Sequence, residues 1–245
     1  MSPEPKPAVV PAVAILAGGL ATRLRPVTAT VPKALVPVAG EPFIAHQFRL
    51  LRREGARRVV LCVGHLGEMI RDVVGDGHRF GLDVAYSFDG DKPRGTGGAL
   101  GHALGLLGPV FFVLYGDSYL DVPFAPILAA FGRSRAPALM TVFANAGRWD
   151  TSNVLFDGGR VARYDKRAPD PDMRYIDYGL SILTPQALER WQDAESFDLA
   201  EVFTTLAAAG LLAGYEVTRR FYEIGTPKGL AETDQYLSGV RNEQG

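Results

Sequence analysis

The chain has 245 residues, of which 47% are hydrophobic and 22% charged, and its formal net charge is −1. Those values fit a globular protein of one large domain or two small ones, and they set it apart from nucleic-acid binders, which are usually basic. No run approaches ~18 consecutive apolar residues, so no membrane span is expected, and the absence of a signal-peptide pattern makes the cytoplasm the expected location.

Residues 1–11, with Pro3, Pro5, Pro7 and Pro11 and few apolar side chains, read as a flexible tail. Beyond it, short β-type runs alternate with helical patterns. Strands are predicted at 12–17, 57–63, 82–87 and 110–115, and helices near 42–54, 66–74, 97–107 and 123–133. That alternation predicts βαβ units and a mainly parallel sheet. After residue 136 the pattern changes. Strands are expected at Ala138 to Asn145, Asn153 to Asp157, Arg160 to Tyr164 and Tyr175 to Leu183. Helices follow near 185–193 and 198–209, then a strand near 214–219. A last helix runs from Pro227, whose missing N–H suits a first helical turn, to about Val240.

The first predicted strand runs into Gly18-Gly19, followed by Arg23, Arg25 and Lys33. Glycine lets backbone approach a ligand closely, and arginine forks and a lysine charge suit a polyphosphate. The P-loop string and the G-x-G-x-x-G fingerprint are both missing. The fourth predicted strand ends at Gly116-Asp117. Ligands of open α/β sheets bind at the carboxyl ends of strands, so these two loops should share one edge although about 100 positions separate them. Cys62 lies in the apolar run Val59 to Val63 and reads as a buried small hydrophobe. As the single cysteine it forms no internal disulfide. His46, His65, His78 and His102 share no ligand spacing.

Gly18, Gly19, Thr22, Arg23, Leu24 and Pro26, then Pro32-Lys33, Pro37 and Gly40-Glu41-Pro42, resemble the opening of the sugar-1-phosphate nucleotidyltransferases, which make nucleotide sugars. Ala21 departs from the glycine usual there. The resemblance spans roughly residues 12–240 and is nearest to heptose 1-phosphate guanylyltransferases and muramate 1-phosphate uridylyltransferases. It implies an α/β, Rossmann-like, mostly parallel mixed sheet flanked by helices. It also implies a single domain over 12–245, with nucleotide bound by about 12–135 and sugar phosphate by about 136–245. The implied substrates are an NTP and a sugar 1-phosphate, with neither nucleic acid nor membrane as partner and a monomer or small homo-oligomer as the assembly.

By the same resemblance, Arg23 and Lys33 are the catalytic cations. Leu16, Ala17, Gly18, Gly19, Thr96, Gly97 and Gly98 contact the nucleotide. Asp165, Lys166, Asp177 and Gly179 contact the sugar phosphate. Asp117 and Glu223 bind Mg²⁺, a cation that takes one or two protein carboxylates and fills its shell with water and substrate phosphates. Glu223 and Asp165 each replace the family's usual acidic residue, Asp and Glu respectively. Two other readings stay open: a cytidylyltransferase acting on phosphocholine or a phosphonate, and a non-catalytic regulatory homologue that binds nucleotide sugars.

Overall fold

A computed structural model describes residues 10–19, 24, 28, 30–145, 147–149, 151–168 and 170–244. Most of the expected tail, and Arg23, lie outside the described residues. In chain order the first elements are β1 (Ala12–Leu16), β2 (Pro37–Val38), β3 (Glu41–Pro42), α1 (Phe43–Arg53), β4 (Arg58–Val63), α2 (Gly67–Val74), β5 (Asp83–Phe88) and α3 (Gly95–Leu107). Next come β6 (Phe111–Tyr115), β7 (Ser118–Tyr119), α4 (Phe124–Ser134), β8 (Ala138–Ala144), β9 (Val154–Asp157) and β10 (Arg160–Tyr164). The chain continues through β11 (Tyr175–Leu183), a 3-10 helix (Pro185–Trp191), α5 (Leu199–Ala208), β12 (Leu212–Val217), β13 (Tyr222–Glu223) and α6 (Pro227–Gln244).

Nine strands form one mixed sheet in the order β5-β4-β1-β6-β11-β8-β12-β10-β9. The first four are parallel, with Val13 between Val59 on β4 and Phe112 on β6. β11 then enters antiparallel to both β6 and β8. The parallel strands read as continuous apolar runs because both of their faces are covered. Phe111 and Phe112 show this directly. Both are fully buried, Phe112 on the face of α1 and α4, and Phe111 on the face of α3 and α5. Each such side chain contributes about 1.5–3 kcal/mol on leaving water.

The region expected as a helix over 185–193 is the shorter 3-10 helix, a form that rarely extends far because its hydrogen-bond geometry is poorer. Two small ribbons, β2 with β3 and β7 with β13, have only two residues per strand, too few to show a period in the sequence.

The strand order fixes where a ligand can sit. β1 leads to β4 and β5 on one side, and the chain returns to β6 on the other. The order therefore reverses at β1, and the crevice lies beyond the carboxyl ends of β1 and β6.

Candidate active site

A cleft of about 580 Å³ opens at that reversal, lined among others by Gly18, Gly19, Lys33, Asp89, Thr96, Tyr115, Asp117 and Asp198. Leu16, Ala17 and the exposed His65 also line it. β1 and β6 approach closely at Gly116, where a Cβ would lie 2.8 Å from the Leu16 carbonyl oxygen. Only glycine permits that approach.

Asp117 follows Gly116 and receives an ion pair from Lys33, with Nζ 2.8 Å from Oδ2. Lys33 begins a short 3-10 turn, Lys33–Leu35, whose Ala34 and Leu35 are buried and so fix where the ammonium points. Gln47 on α1, fully buried, donates from Nε2 to the carbonyls of Tyr115 (3.1 Å) and Ser118 (2.8 Å), which pins the loop carrying Asp117. Sequence reasoning missed Gln47, and a polar side chain inside an apolar helix face is the signal that marks it.

The β7–β13 ribbon brings the second carboxylate alongside. Glu223 is paired with Ser118, and the Ile224 N–H donates to the Asp117 carbonyl at 2.9 Å. A Cβ on Gly225 would lie 2.4 Å from Glu223 Oε2 and 3.5 Å from Asp117 Oδ2, so both carboxylates border one small space that glycine leaves open. Glu223 also accepts from the Gly225 N–H (3.1 Å) and the Thr226 hydroxyl (3.3 Å), which orient it. Two acidic oxygen donors side by side, Asp117 lining the cleft and Glu223 next to it, suit a hard cation such as Mg²⁺. Among the described residues, no group of three or more His, Cys, Asp or Glu could hold a metal without substrate oxygens.

Tyr115 lines the cleft, and beside it lie the expected residues Lys166, Asp177 and Gly179, which are not among the lining residues. Lys166 lies 5.6 Å above the Tyr115 ring and 3.7 Å from Asp177 Oδ2. Asp177 is nearly buried. It accepts the Gly179 N–H at 3.0 Å, and its own N–H is held by the Asn153 side chain at 3.1 Å. Gly179 packs against Tyr115. Burial, with the charges of Asp177, Asp117 and Asp198, holds the Tyr115 phenol well above its ordinary pKa, so it stays a hydrogen-bond donor.

Three expected residues are engaged elsewhere. The N–H groups of Gly97 and Gly98 donate to the Phe197 carbonyl at 3.0 and 3.2 Å, and both glycines are buried under the 195–198 segment. Thr96, not these glycines, faces the cleft. Its hydroxyl accepts the Leu199 N–H at 2.8 Å and thereby caps α5. Asp165 turns Oδ1 to the N–H groups of Arg167 (2.8 Å) and Ala168 (2.9 Å) of its own loop, and those bonds lower its pKa. Asp198 lines the cleft instead, a position the sequence did not single out because it reads as an ordinary helix cap.

A family profile described as Nucleotidyl transferase matches residues 12–236. The chain belongs to that family. Among curated proteins, this nucleotidyl transferase family member is 32% identical to the mannose-1-phosphate guanylyltransferase catalytic subunit beta of Danio rerio, across 94% of this chain and 65% of that protein. It is 29% identical to a UTP–glucose-1-phosphate uridylyltransferase of Synechocystis, across 80% of this chain and 55% of that protein. The chain thus spans less than two thirds of either relative. Solved structures of the same fold include HddC from Yersinia pseudotuberculosis complexed with GMP-PN (TM-score 0.77, 22% identity, covering 93% of this chain and 100% of that one). Another is the inositol-1-phosphate CTP transferase from T. maritima (TM-score 0.78, 20% identity, 96% and 98%). At these identities the likeness is one of fold.

Proposed function

We propose that this protein transfers a nucleotidyl group from an NTP to a sugar 1-phosphate, giving an NDP-sugar and pyrophosphate. The observation that carries the reading is the convergence of Lys33, Asp117 and Glu223 at the carboxyl ends of β1 and β6, beside Gly18 and Gly19. The names of the curated relatives, each a sugar 1-phosphate guanylyl- or uridylyltransferase, agree with it.

In this reaction an oxygen of the sugar phosphate attacks the α-phosphorus in line. A new P–O bond forms, the bond to the bridging α–β oxygen breaks, and its electron pair leaves with pyrophosphate. The attacking phosphate has a second pKa near ~6, so at neutral pH it is largely dianionic and requires no general base. Catalysis is then positioning and charge neutralisation. Lys33 places its charge beside Asp117, where the α-phosphate would lie, and Arg23 is assigned the departing β- and γ-phosphates.

Asp117 and Glu223 would hold Mg²⁺, which when bound neutralises charge on the phosphate oxygens. Lys166 and Asp177 hold the acceptor, the lysine meeting its phosphate and the carboxylate its hydroxyls. Residues about 12–135 thus make most of the nucleotide site and about 136–245 most of the sugar-phosphate site, with Glu223 and Asp198 reaching across from the second part. The test is pyrophosphate release with Mg²⁺ across the common NTPs, sugar 1-phosphates and phosphocholine. Acceptor-dependent release with a sugar 1-phosphate is expected. Release with phosphocholine alone, or with no pair, would overturn the reading.

A further inference from the structure

The β5 side of the cleft contains a carboxylate that the reaction above does not use. Asp89 follows β5, is only 8% exposed, and lines the cleft. Its N–H donates to the Val63 carbonyl at 2.9 Å, which fixes its backbone against β4. Oδ2 lies 3.3 Å and 3.1 Å from where a Cβ would stand on Gly18 and Gly64, and it receives only a long 3.5 Å contact from the Arg94 N–H. Oδ1 accepts no hydrogen bond among the described residues.

Position in the sheet says which part of a nucleotide reaches it. Asp89 extends β5 and Asp117 extends β6, and β4 and β1 lie between them. β5 and β6 lie three strand spacings of ~4.8 Å apart, about 14 Å, and the Asp89 side chain covers part of that span by reaching Gly18 at the end of β1. The remaining gap is left to a nucleoside whose α-phosphate sits at Lys33 and Asp117. A phosphate would be repelled by Asp89. The walls between the two ends are small and apolar, with Leu16, Ala17, Cys62, Pro93 and Ala99, as a flat aromatic ring requires.

We propose that Asp89 reads the nucleobase and selects guanine, so that the donor substrate is GTP. This rests on the cleft being the nucleoside triphosphate site. An ionised carboxylate only accepts hydrogen bonds, through two oxygens set side by side. Guanine alone among the common bases presents two adjacent donors, N1–H and the N2 amino group. Uracil and thymine offer one N–H between two carbonyls that a carboxylate repels. Cytosine and adenine offer an amino group beside a ring acceptor. A buried acceptor left without a donor is costly, so Asp89 favours guanine and also penalises the other bases.

Calorimetric binding of GTP, ITP and UTP with Mg²⁺, without acceptor, tests this on the unaltered protein and then on Asp89→Asn. ITP is guanosine triphosphate without the 2-amino group. GTP should bind the unaltered protein about tenfold or more tighter than ITP, as for a hydrogen bond to a charged group, and tighter still than UTP. Asp89→Asn, with melting behaviour showing it folded, should lose the GTP advantage over ITP. Equal binding of GTP and ITP, or a GTP preference that survives Asp89→Asn, would overturn the assignment and leave Asp89 to ribose hydroxyls. Selective GTP binding without turnover on any sugar 1-phosphate would support the base assignment while defeating the proposed reaction. Failure to bind any NTP would overturn both.

Discussion

Lys33 Nζ lies 2.8 Å from Asp117 Oδ2, across 84 positions of sequence. The two side chains come from loops at the carboxyl side of neighbouring parallel strands, and both are partly open to the cleft, at 19% and 27% exposure. On the proposed reading, the pair would exchange partners when a phosphate arrives.

If both groups act on the transferring phosphoryl group, Lys33→Ala and Asp117→Asn should each lower turnover by at least ~10²-fold, the scale of a lost preorganised charge. Because they touch, the double variant should lose less than the product of the single losses. Initial rates of pyrophosphate release for the four proteins measure this, and near-normal turnover in both single variants would defeat the assignment.

The metal assignment predicts a separate signature for Glu223. Glu223→Gln keeps an acceptor for the Gly225 N–H, while its amide NH2 can donate to the Thr226 hydroxyl oxygen, and it removes the charge. The Mg²⁺ concentration for half-maximal rate should rise about tenfold or more, because a lost ligand costs no less than a lost outer-shell partner. A Mg²⁺ titration of activity distinguishes this from general damage, which would lower the rate at saturating metal without moving the midpoint.

Gly116 predicts a steric effect on folding. Gly116→Ala would put a methyl 2.8 Å from the Leu16 carbonyl oxygen and 3.1 Å from Ala17 Cα, both backbone atoms. Overpacking of this kind costs about 1–3 kcal/mol. Gly132→Ala, in α4 with nothing within 4 Å of the new methyl, should stabilise by about 0.5–1 kcal/mol because it removes glycine entropy from a helix. Denaturant midpoints of the two variants should move in opposite directions.

Asp89 predicts a pH dependence. Burial raises its pKa, partly countered by the Arg94 N–H, by the Arg94 charge and by His102. A carboxyl raised in the folded state costs stability in full above its folded pKa, and that cost shrinks as pH falls through that value and is gone below the unfolded pKa. Asp89→Asn should therefore raise the melting temperature at neutral pH without ligand, and the gain should shrink toward zero in acid. A gain that is constant with pH would mean that ionisation of Asp89 is not its source.

Much of the fold could be read from the sequence. β1, β4, β5 and β6 were located to within a residue or two, because strands covered on both faces are written as unbroken apolar runs. The β7–β13 ribbon was not legible. Two-residue strands carry no period, and their pairing exists only because Glu223 is brought to Ser118 from more than 100 positions away. The site divides in the same way. Lys33 and Asp117 stood out by motif, whereas Asp198 and Thr96 look alike in sequence as helix-start residues and differ only in what they meet.

The sequence by itself determined which chemical groups are available: the glycines of the first loop, the cations after it, the carboxylates at strand ends, and the alternation that makes an α/β sheet. Local pattern suffices for these because backbone geometry and side-chain chemistry are properties of short segments. Only the tertiary structure decided which groups are free to act. Phe197 takes the N–H groups of Gly97 and Gly98, the loop of Asp165 takes one of its oxygens, and packing against Gly18 and Gly64 leaves Asp89 buried with an open acceptor. Each outcome depends on a hydrogen bond or burial that forms only once the chain has folded, and polar groups inside a protein act according to which of their partners are already made.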